Sequence, residues 1–233
     1  MAASWDVFGD EQKAADGGAS GLGLLVVEAG VVCQLAQALL DEKNQLEGSG
    51  GRIGSVHWSD LRDRETDLGC SWLNRFFQGP LMFFVYVPVA AQASSHPRLE
   101  LVKQAIEQLE RDHRVPAGGL HRGRTTLHLD YDNQDARELH LRLVREFGLL
   151  RAFHWSDRDS VLLQLADLLL GISERERSGR AFGESRREGN KQRLFDCARE
   201  RARYYSARDK NNWVFCYEPT GGLRRLFVED QPS

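Results

Sequence analysis

The most apolar long segment of the chain is residues 156–172, SDRDSVLLQLADLLLGI, in which hydrophobic side chains cover almost the whole circumference of a helix. This pattern predicts a buried helix rather than a surface one. At about 100° per residue, four small or polar residues fall within about 60° of one another and form a narrow small-polar stripe: Ser160, Gln164, Asp167 and Gly171. Because an unpaired buried carboxylate is strongly unfavourable, Asp167 must have a partner, which could be a metal ion, a basic side chain or backbone donors.

The start of this helix also has a sequence signal. Ser156 and Asp159 form an S-x-x-D pattern, and Asp157 and Asp159 lie in the predicted first turn, where the helix dipole favours negative charge. Taken alone, such aspartates are more often caps or structural residues than ligands. The function of Asp167 therefore depends on which other carboxylates lie beside this helix.

The remaining apolar pattern alternates between strand and helix periods. It predicts strands at 4–9, 22–32, 52–60, 80–89, 125–132, 149–156, 213–219 and 223–230. It predicts further helices at 33–46, 61–78, 97–114, 133–147 and 190–208, and a charged loop or linker at 174–187. The segment 80–89 is apolar on both faces, which is typical of a strand at the centre of a covered sheet.

Strands at the start, followed by strands that alternate with helices, predict an α/β fold in which helices flank a mixed sheet. Sites in such sheets lie at the carboxyl ends of strands. Asp10 and Asp157 each follow a predicted strand, Asp130 lies at the carboxyl end of the strand 125–132, and Asp167 lies on the helix that follows the strand 149–156. We therefore expect several of these carboxylates to meet at one edge of the sheet.

A cluster of carboxylates suits hard divalent cations, which bind oxygen ligands. Two such cations about 3.5–4 Å apart can clamp the attacking and leaving oxygens of a phosphoryl transfer. The candidate ligands are Asp10, Asp130 and Asp167, with Glu11 or Asp157 completing the set. The chain contains 34 acidic residues, so spacing alone does not select this combination.

The distribution of charge along the chain narrows the classes of binding partner that the sequence favours. The net charge is −3, but residues 174–210 contain 12 Lys or Arg against 7 Asp or Glu, a local +5. This Arg-rich segment could follow a nucleic-acid backbone or dock a partner protein, although its interleaved acids favour a salt-bridged, solvated face.

The four cysteines show no C-x-x-C spacing, and Cys33 and Cys70 are expected in the core. With no signal peptide and no apolar run of membrane-spanning length, a cytoplasmic protein is expected.

Two histidines lie near acids. His57 and Asp60 could form a metal-binding or proton-transfer pair, but a half-buried His beside a helix-capping Asp is the favoured interpretation. His128 lies two residues before Asp130 and so on the same face of a strand. It could assist the site or form a cross-strand hydrogen bond.

Four motifs resemble a bacterial family, the domain-of-unknown-function 3800 family. Gln164-Leu165-Ala166-Asp167 is similar to the closing L-Q-L-A-D motif of that family, and Asp130 in LHLDYD to its aspartate at the end of a later strand. Phe8-Gly9-Asp10-Glu11-Gln12 resembles its opening F-x-D-E-S-G motif without the serine and glycine. His57-Trp58-Ser59-Asp60-Leu61 resembles its H-x-x-D-L segment. The resemblance covers residues 4–173.

This resemblance implies a ribonuclease H-like core, with a five-stranded mixed sheet at residues 1–173 and acids that bind two Mg²⁺ or Mn²⁺. Residues 174–233 would be an Arg-rich helical extension with a closing hairpin. The implied function is a metal-dependent phosphodiesterase, a nuclease, with Asp10, Asp130 and Asp167 as catalytic ligands. Two alternatives stay open: a non-catalytic module that docks a partner protein or nucleic acid, and a structural Asp167 paired with a buried Arg such as Arg151.

Overall fold

The structure is a computed structural model that describes residues 4–13, 19–79, 82–88, 125–130, 145, 151–155, 160–206, 214–218 and 222–227. Its strands are β1 (Trp5–Lys13), β2 (Ala19–Glu28), β3 (Met82–Pro88), β4 (Thr125–Asp130), β5 (Arg151–Trp155), β6 (Val214–Glu218) and β7 (Gly222–Arg225). Its α-helices are α1 (Ala29–Gly50), α2 (Asp63–Gln78), α3 (Val161–Ser178) and α4 (Arg186–Ser206). One turn of 3₁₀-helix, Trp58–Asp60, lies in the loop between α1 and α2.

All seven strands form one mixed sheet in the order β5-β4-β1-β2-β3-β6-β7. The interior strand β1 is antiparallel to β2 and parallel to β4, which is in turn parallel to β5. On the other side, β3 is antiparallel to β2 and parallel to β6. The predicted α/β class with a mixed, helix-flanked sheet is confirmed.

The core lies where the most apolar strands meet helix α3. Every residue of β3 is buried, as its uninterrupted apolar sequence predicts. Helix α3 packs on β1 and β2, and its leucines join side chains of β1, β2 and β3 in one hydrophobic cluster. Helices α1 and α2 complete the same layer, and α4 packs on α2. Helix α3 is thus enclosed on several sides, which explains its all-round apolar sequence.

Several predicted boundaries near the amino terminus are wrong. Strand β1 continues through Asp10 and Glu11 to Lys13 instead of ending at this acidic pair. Strand β2 ends at Glu28, so Val31 and Val32 belong to α1, where they pack against the core from the helix. Residues 52–60 do not form a strand. They make an extended loop and the 3₁₀ turn, in which the amides of Val56 and Trp58 donate to side chains of α3 and not to a strand.

The boundaries around α3 also differ from the prediction. Ser160 is the N-cap, and its side chain accepts a hydrogen bond from the amide of Leu163 at 3.3 Å. The S-x-x-D pattern at 156 therefore does not start the helix, and residues 156–159 lie outside the described part of the chain. Helix α3 continues to Ser178, so only residues 179–185 of the predicted linker 174–187 are non-helical before α4 begins.

The carboxyl-terminal elements join the same sheet and helical layer. The predicted hairpin is confirmed as the antiparallel pair β6–β7, and β6 extends the sheet beside β3. The predicted domain boundary at residue 173 lies inside α3. The predicted helices at 97–114 and 133–147 lie outside the described residues, apart from Arg145. In the described segments, no helix combines the length and apolar character needed to cross a membrane.

Candidate functional site

The small-polar stripe of α3 faces the α1–α2 loop (residues 51–62). The side-chain oxygen Oε1 of Gln164 accepts a hydrogen bond from the amide of Val56 at 3.0 Å. One turn later, Oδ2 of Asp167 accepts a hydrogen bond from the amide of Trp58 at 2.7 Å. Two polar side chains spaced along one helix face thus bind alternate amides of an extended segment. The helix replaces the strand partner that this segment lacks.

Gly171 completes the stripe by making room for an aromatic ring. The indole of Trp58 lies directly over this glycine, and a Cβ at residue 171 would overlap the ring. Trp58 is buried as a result, and its ring also lies 5.7 Å from the Lys191 ammonium of α4. The absence of a side chain at 171 is therefore a packing requirement.

Asp167 is held mainly by the loop backbone. Besides the Trp58 amide, Nδ1 of His57 lies 3.5 Å from Oδ2 of Asp167, and the two side chains are 27% and 21% exposed. The sequence predicts a metal ion, a basic side chain or a backbone donor as the partner of Asp167. The structure shows a backbone donor, the Trp58 amide, which donates to Oδ2. The side chain of Arg151, the alternative partner, lies outside the described residues.

Asp10 and Asp130 lie side by side on the two central parallel strands. The last paired residues of β1 and β4 are Gly9 and Leu129, and Asp10 and Asp130 each follow directly. Asp10 is half-buried and pairs with Gly23 of β2. Phe8, two residues earlier in β1, belongs to the cluster that contains the α3 leucines, so Asp10 shares the face covered by α3.

Helix α3 passes close to this position. A Cβ at Gly23 would lie 3.0 Å from Cβ of Leu170, which is three residues beyond Asp167. The glycine opposite Asp10 thus lets α3 approach the sheet closely. This arrangement brings together the backbone positions of Asp10 and Asp130 and the helix that carries Asp167.

The other predicted ligands are less fully described. Glu11 follows Asp10 in β1, and the side chains of Glu11 and Asp130 lie outside the described set, as does the whole of Asp157. Among the residues that are described, no group of three or more His, Cys, Asp or Glu is arranged to hold a metal ion.

His128 forms a cross-strand pair with an acid that the sequence analysis did not select. Nε2 of His128 lies 2.8 Å from Oδ1 of Asp6, and both side chains are largely buried. The imidazole also stacks on the ring of Phe8, with centroids 4.4 Å apart. The cross-strand role weighed for His128 is therefore present, and the register Phe8 opposite His128 accounts for it.

His57 and Asp60 face different partners. Asp60 accepts a hydrogen bond from Arg187 of α4 at 2.6 Å, whereas His57 lies beside Asp167. Two further aspartates of α2 also pair with α4: Asp63 with Arg186, and Asp67 with Arg193. These pairs place much of the Arg-rich segment in a salt-bridged surface against α2, as the interleaved charges suggest.

An open cleft of ≈ 810 Å³ lies beside Asp167. Charged side chains from α3, α4 and the segment between them line it, and sequence reasoning did not single them out: Glu174, Arg175, Arg180, Glu188 and Lys191. Because acidic and basic residues alternate along this part of the chain, the sequence does not indicate that these five side chains line one cleft. The structural signal is the pairing of Arg175 with Glu188 at 2.9 Å across 13 residues, which folds the segment back on α3.

Glu188 is the electrostatic centre of this cleft. Its carboxylate contacts Arg175 at 2.9 Å and Lys191 at 2.8 Å. Burial acts to raise the pKa of Glu188, but Lys191 and Arg175 outweigh it and hold the pKa below 4.5. Glu188 is therefore ionised at neutral pH and joins the two cations.

No protein-family model, curated protein or solved structure matches this chain.

Proposed function

We propose that the protein is a metal-dependent phosphodiesterase, a nuclease, that uses Asp10, Asp130 and Asp167 to hold Mg²⁺ or Mn²⁺. The observation that carries the proposal is the parallel pairing of β1 and β4, in which Asp10 and Asp130 directly follow the paired residues Gly9 and Leu129. Asp130 is the last residue of β4, and Asp10 lies where the pairing of β1 with β4 ends, near the edge of the sheet at which sites in such folds are expected.

The donor set suits these cations in chemical type. Mg²⁺ and Mn²⁺ favour carboxylate oxygens and bind few protein ligands, completing their coordination with water and substrate phosphate. Asp10 is half-buried and pairs with Gly23, the glycine over which helix α3 approaches the sheet. Bound cations would neutralise charge on the phosphodiester and hold its reacting oxygens.

Asp167 would serve two purposes in this proposal. Its Oδ2 holds the Trp58 amide, so the loop fixes the carboxylate and its orientation. Oδ1, which takes no part in that hydrogen bond, would be the metal ligand. His57, 3.5 Å from Oδ2, adds a group that orients the same carboxylate.

The finer fold assignment is part of this proposal. Five neighbouring strands, β5-β4-β1-β2-β3, form a mixed sheet in which only β2 runs against the others. A five-stranded mixed sheet, followed along the chain by a helix that carries Asp167, supports a ribonuclease H-like core and the resemblance to the domain-of-unknown-function 3800 family. Strands β6 and β7 would be additions at the β3 edge.

Cleavage of labelled single- and double-stranded DNA and RNA, with Mn²⁺ or Mg²⁺ and with chelator, tests the proposal. We expect metal-dependent cleavage that falls at least about 100-fold in Asp10→Asn and Asp130→Asn, because each substitution removes a ligand charge. Asp67→Asn is the matched control, since Asp67 is an exposed acid on α2 paired with Arg193. Equal metal-dependent rates in Asp10→Asn and the wild type would contradict the assignment.

The second candidate function is a non-catalytic docking module. It is favoured by the use of Asp167 as an acceptor for the Trp58 amide, which gives this half-buried acid a structural role without any metal. It predicts that a nucleic acid or protein partner binds equally well in chelator and to the Asp10→Asn variant. Binding that requires Mn²⁺ would exclude it.

A further inference from the structure

Helices α2 and α4 approach closely at a glycine, and this approach brings two cysteines together. A Cβ at Gly69 would lie 2.9 Å from Cδ1 of Leu194, so the leucine side chain of α4 occupies the space directly over this glycine of α2. Cys70 follows Gly69, and Cys197 lies one turn beyond Leu194. Sγ of Cys197 is 3.9 Å from the carbonyl oxygen of Cys70. The expectation of Cys70 as a core residue is thus only partly met, because both cysteines are half-buried.

The two thiols are electrostatically unequal. A hydrogen bond from the Cys70 thiol lowers the pKa of Cys197 to about 7; burial opposes this effect, and Arg201 supports it. The same hydrogen bond and burial raise the pKa of Cys70. The other charges that face the pair are Arg193 and Asp67 beside Cys70, and Glu200 beside Cys197. Cys197 is therefore the more nucleophilic sulfur at neutral pH, and Cys70 keeps its proton.

We propose that Cys197 and Cys70 are a redox-modification site that hydroperoxides convert to a reversible disulfide between α4 and α2. The Cys197 thiolate attacks one oxygen of hydrogen peroxide. An S–O bond forms, the O–O bond breaks, and hydroxide leaves and is protonated to water. The Cys70 sulfur then attacks the Cys197 sulfenic acid, the S–S bond forms, and the hydroxyl leaves with the Cys70 proton as water. Peroxide gains the two electrons that the two thiols lose.

The disulfide would join residues 127 positions apart and fix α4 on α2. Helix α4 also carries Glu188 and Lys191, which line the cleft beside Asp167. Oxidation would therefore restrain one wall of that cleft. The proposal does not depend on the nuclease assignment, since its observable is the covalent link itself.

The chain contains its own controls. Cys33 is exposed on α1, so it reports the reactivity of an accessible cysteine elsewhere on the fold. Its exposure also corrects the expectation of a core position. Cys216 is buried in β6 and reports whether the protein has unfolded.

Peptide mass mapping without reductant, after treating the folded protein with hydrogen peroxide and blocking residual thiols, tests the proposal. We expect a linkage between the Cys70 and Cys197 peptides in the wild type and in Cys33→Ala, and none in Cys70→Ala. Oxidation of Cys33 without any Cys70–Cys197 linkage in the wild type would overturn the proposal, and this arm needs no variant to fold.

Alkylation rates give a second measurement on the native protein. At pH 7 we expect iodoacetamide to modify Cys197 several-fold faster than it modifies the similarly half-buried Cys70, because Cys197 has the larger thiolate fraction. Cys70→Ala should slow this reaction while circular dichroism and the protection of Cys216 stay unchanged. An unaltered Cys197 rate in that variant would contradict the role of Cys70.

Discussion

The Oδ2 atom of Asp167 accepts a hydrogen bond from the backbone amide of Trp58 at 2.7 Å, which joins helix α3 to the α1–α2 loop across 109 residues of sequence. The contact explains how an acid can occupy an otherwise apolar helix, since a backbone donor satisfies it. It also fixes the position of the Asp167 carboxylate beside the α1–α2 loop. A structural contact thereby orients a candidate metal ligand.

The four members of the small-polar stripe act together. Ser160 caps the helix, Gln164 and Asp167 accept loop amides, and Gly171 accommodates the Trp58 ring. The loop thus docks through hydrogen bonds at two points and through aromatic packing at a third. Each point can be tested by a separate substitution.

The Gln164 contact predicts a loss of stability when its acceptor is removed. Gln164→Leu should lower the free energy of unfolding by about 1–3 kcal/mol, because the buried Val56 amide loses its partner. Urea unfolding at pH 7 measures the change. Gln37→Leu is the control, since Gln37 is exposed on α1 and donates a hydrogen bond to Asp41 four residues away in the same helix. A cost of less than about 0.5 kcal/mol for Gln164→Leu, the usual range for surface substitutions, would refute the docking role of this amide.

The Gly171 contact predicts that a single methyl group is harmful. Gly171→Ala should destabilise the protein by about 1–3 kcal/mol, since the new Cβ overlaps the Trp58 ring and overpacking strains the core. Thermal or urea unfolding would reveal it. In the matched variant Gly48→Ala, the Cβ enters open space on α1, so helix propensity should leave stability unchanged or raise it by up to about 1 kcal/mol. Equal effects of the two substitutions would show that the ring does not sit over Gly171.

The ion pairs of Glu188 predict a pH effect with a definite sign. Because Lys191 and Arg175 hold its pKa below 4.5, the folded state binds fewer protons than the unfolded chain. The stabilisation is fully present above pH 4.5 and is lost as the pH falls through the lower folded-state pKa. Melting temperatures between about pH 6 and pH 3 should therefore fall less steeply in Glu188→Gln than in the wild type. Glu184→Gln, at an exposed acid just before α4, should keep the wild-type profile. If the melting temperature fell with pH at the same slope in Glu188→Gln and the wild type, the ion pairs of Glu188 would make no measurable contribution to stability.

The sequence predicts the elements whose pattern depends on local burial. Helix α2 has a clear apolar face, and β3 is apolar at every position, so both are recognisable without tertiary information. The same holds for the β6–β7 hairpin, whose two strands lie on either side of a Gly-rich sequence. The α/β class follows from the order of these patterns.

The failures have tertiary causes. Ile53, Val56 and Trp58 are apolar and resemble a strand, but they are buried by α3 and the helical layer instead of a neighbouring strand. Helix α3 extends past residue 174 because Arg175 is buried and pairs with Glu188, a contact that helical periodicity does not reveal. The approach of Cys70 and Cys197 likewise depends on how α2 and α4 cross at Gly69.

The candidate site was predictable only as a list of residues. The strand pattern indicates Asp10 and Asp130, but their adjacency depends on the parallel register of β1 and β4. The need of Asp167 for a partner follows from its apolar surroundings. That the partner is the Trp58 amide depends on the path of the loop.

Calorimetric titration with Mn²⁺ tests the proposed metal site most directly, because it requires no assumption about the substrate. Asp167→Asn retains an oxygen that can accept the Trp58 amide, so the variant should fold while losing a charged ligand. We predict binding heat in the wild type and in Asp67→Asn, and its loss in Asp10→Asn and Asp167→Asn. Unchanged heat in both Asp10→Asn and Asp167→Asn would contradict the metal site and, with it, the proposed phosphodiesterase function.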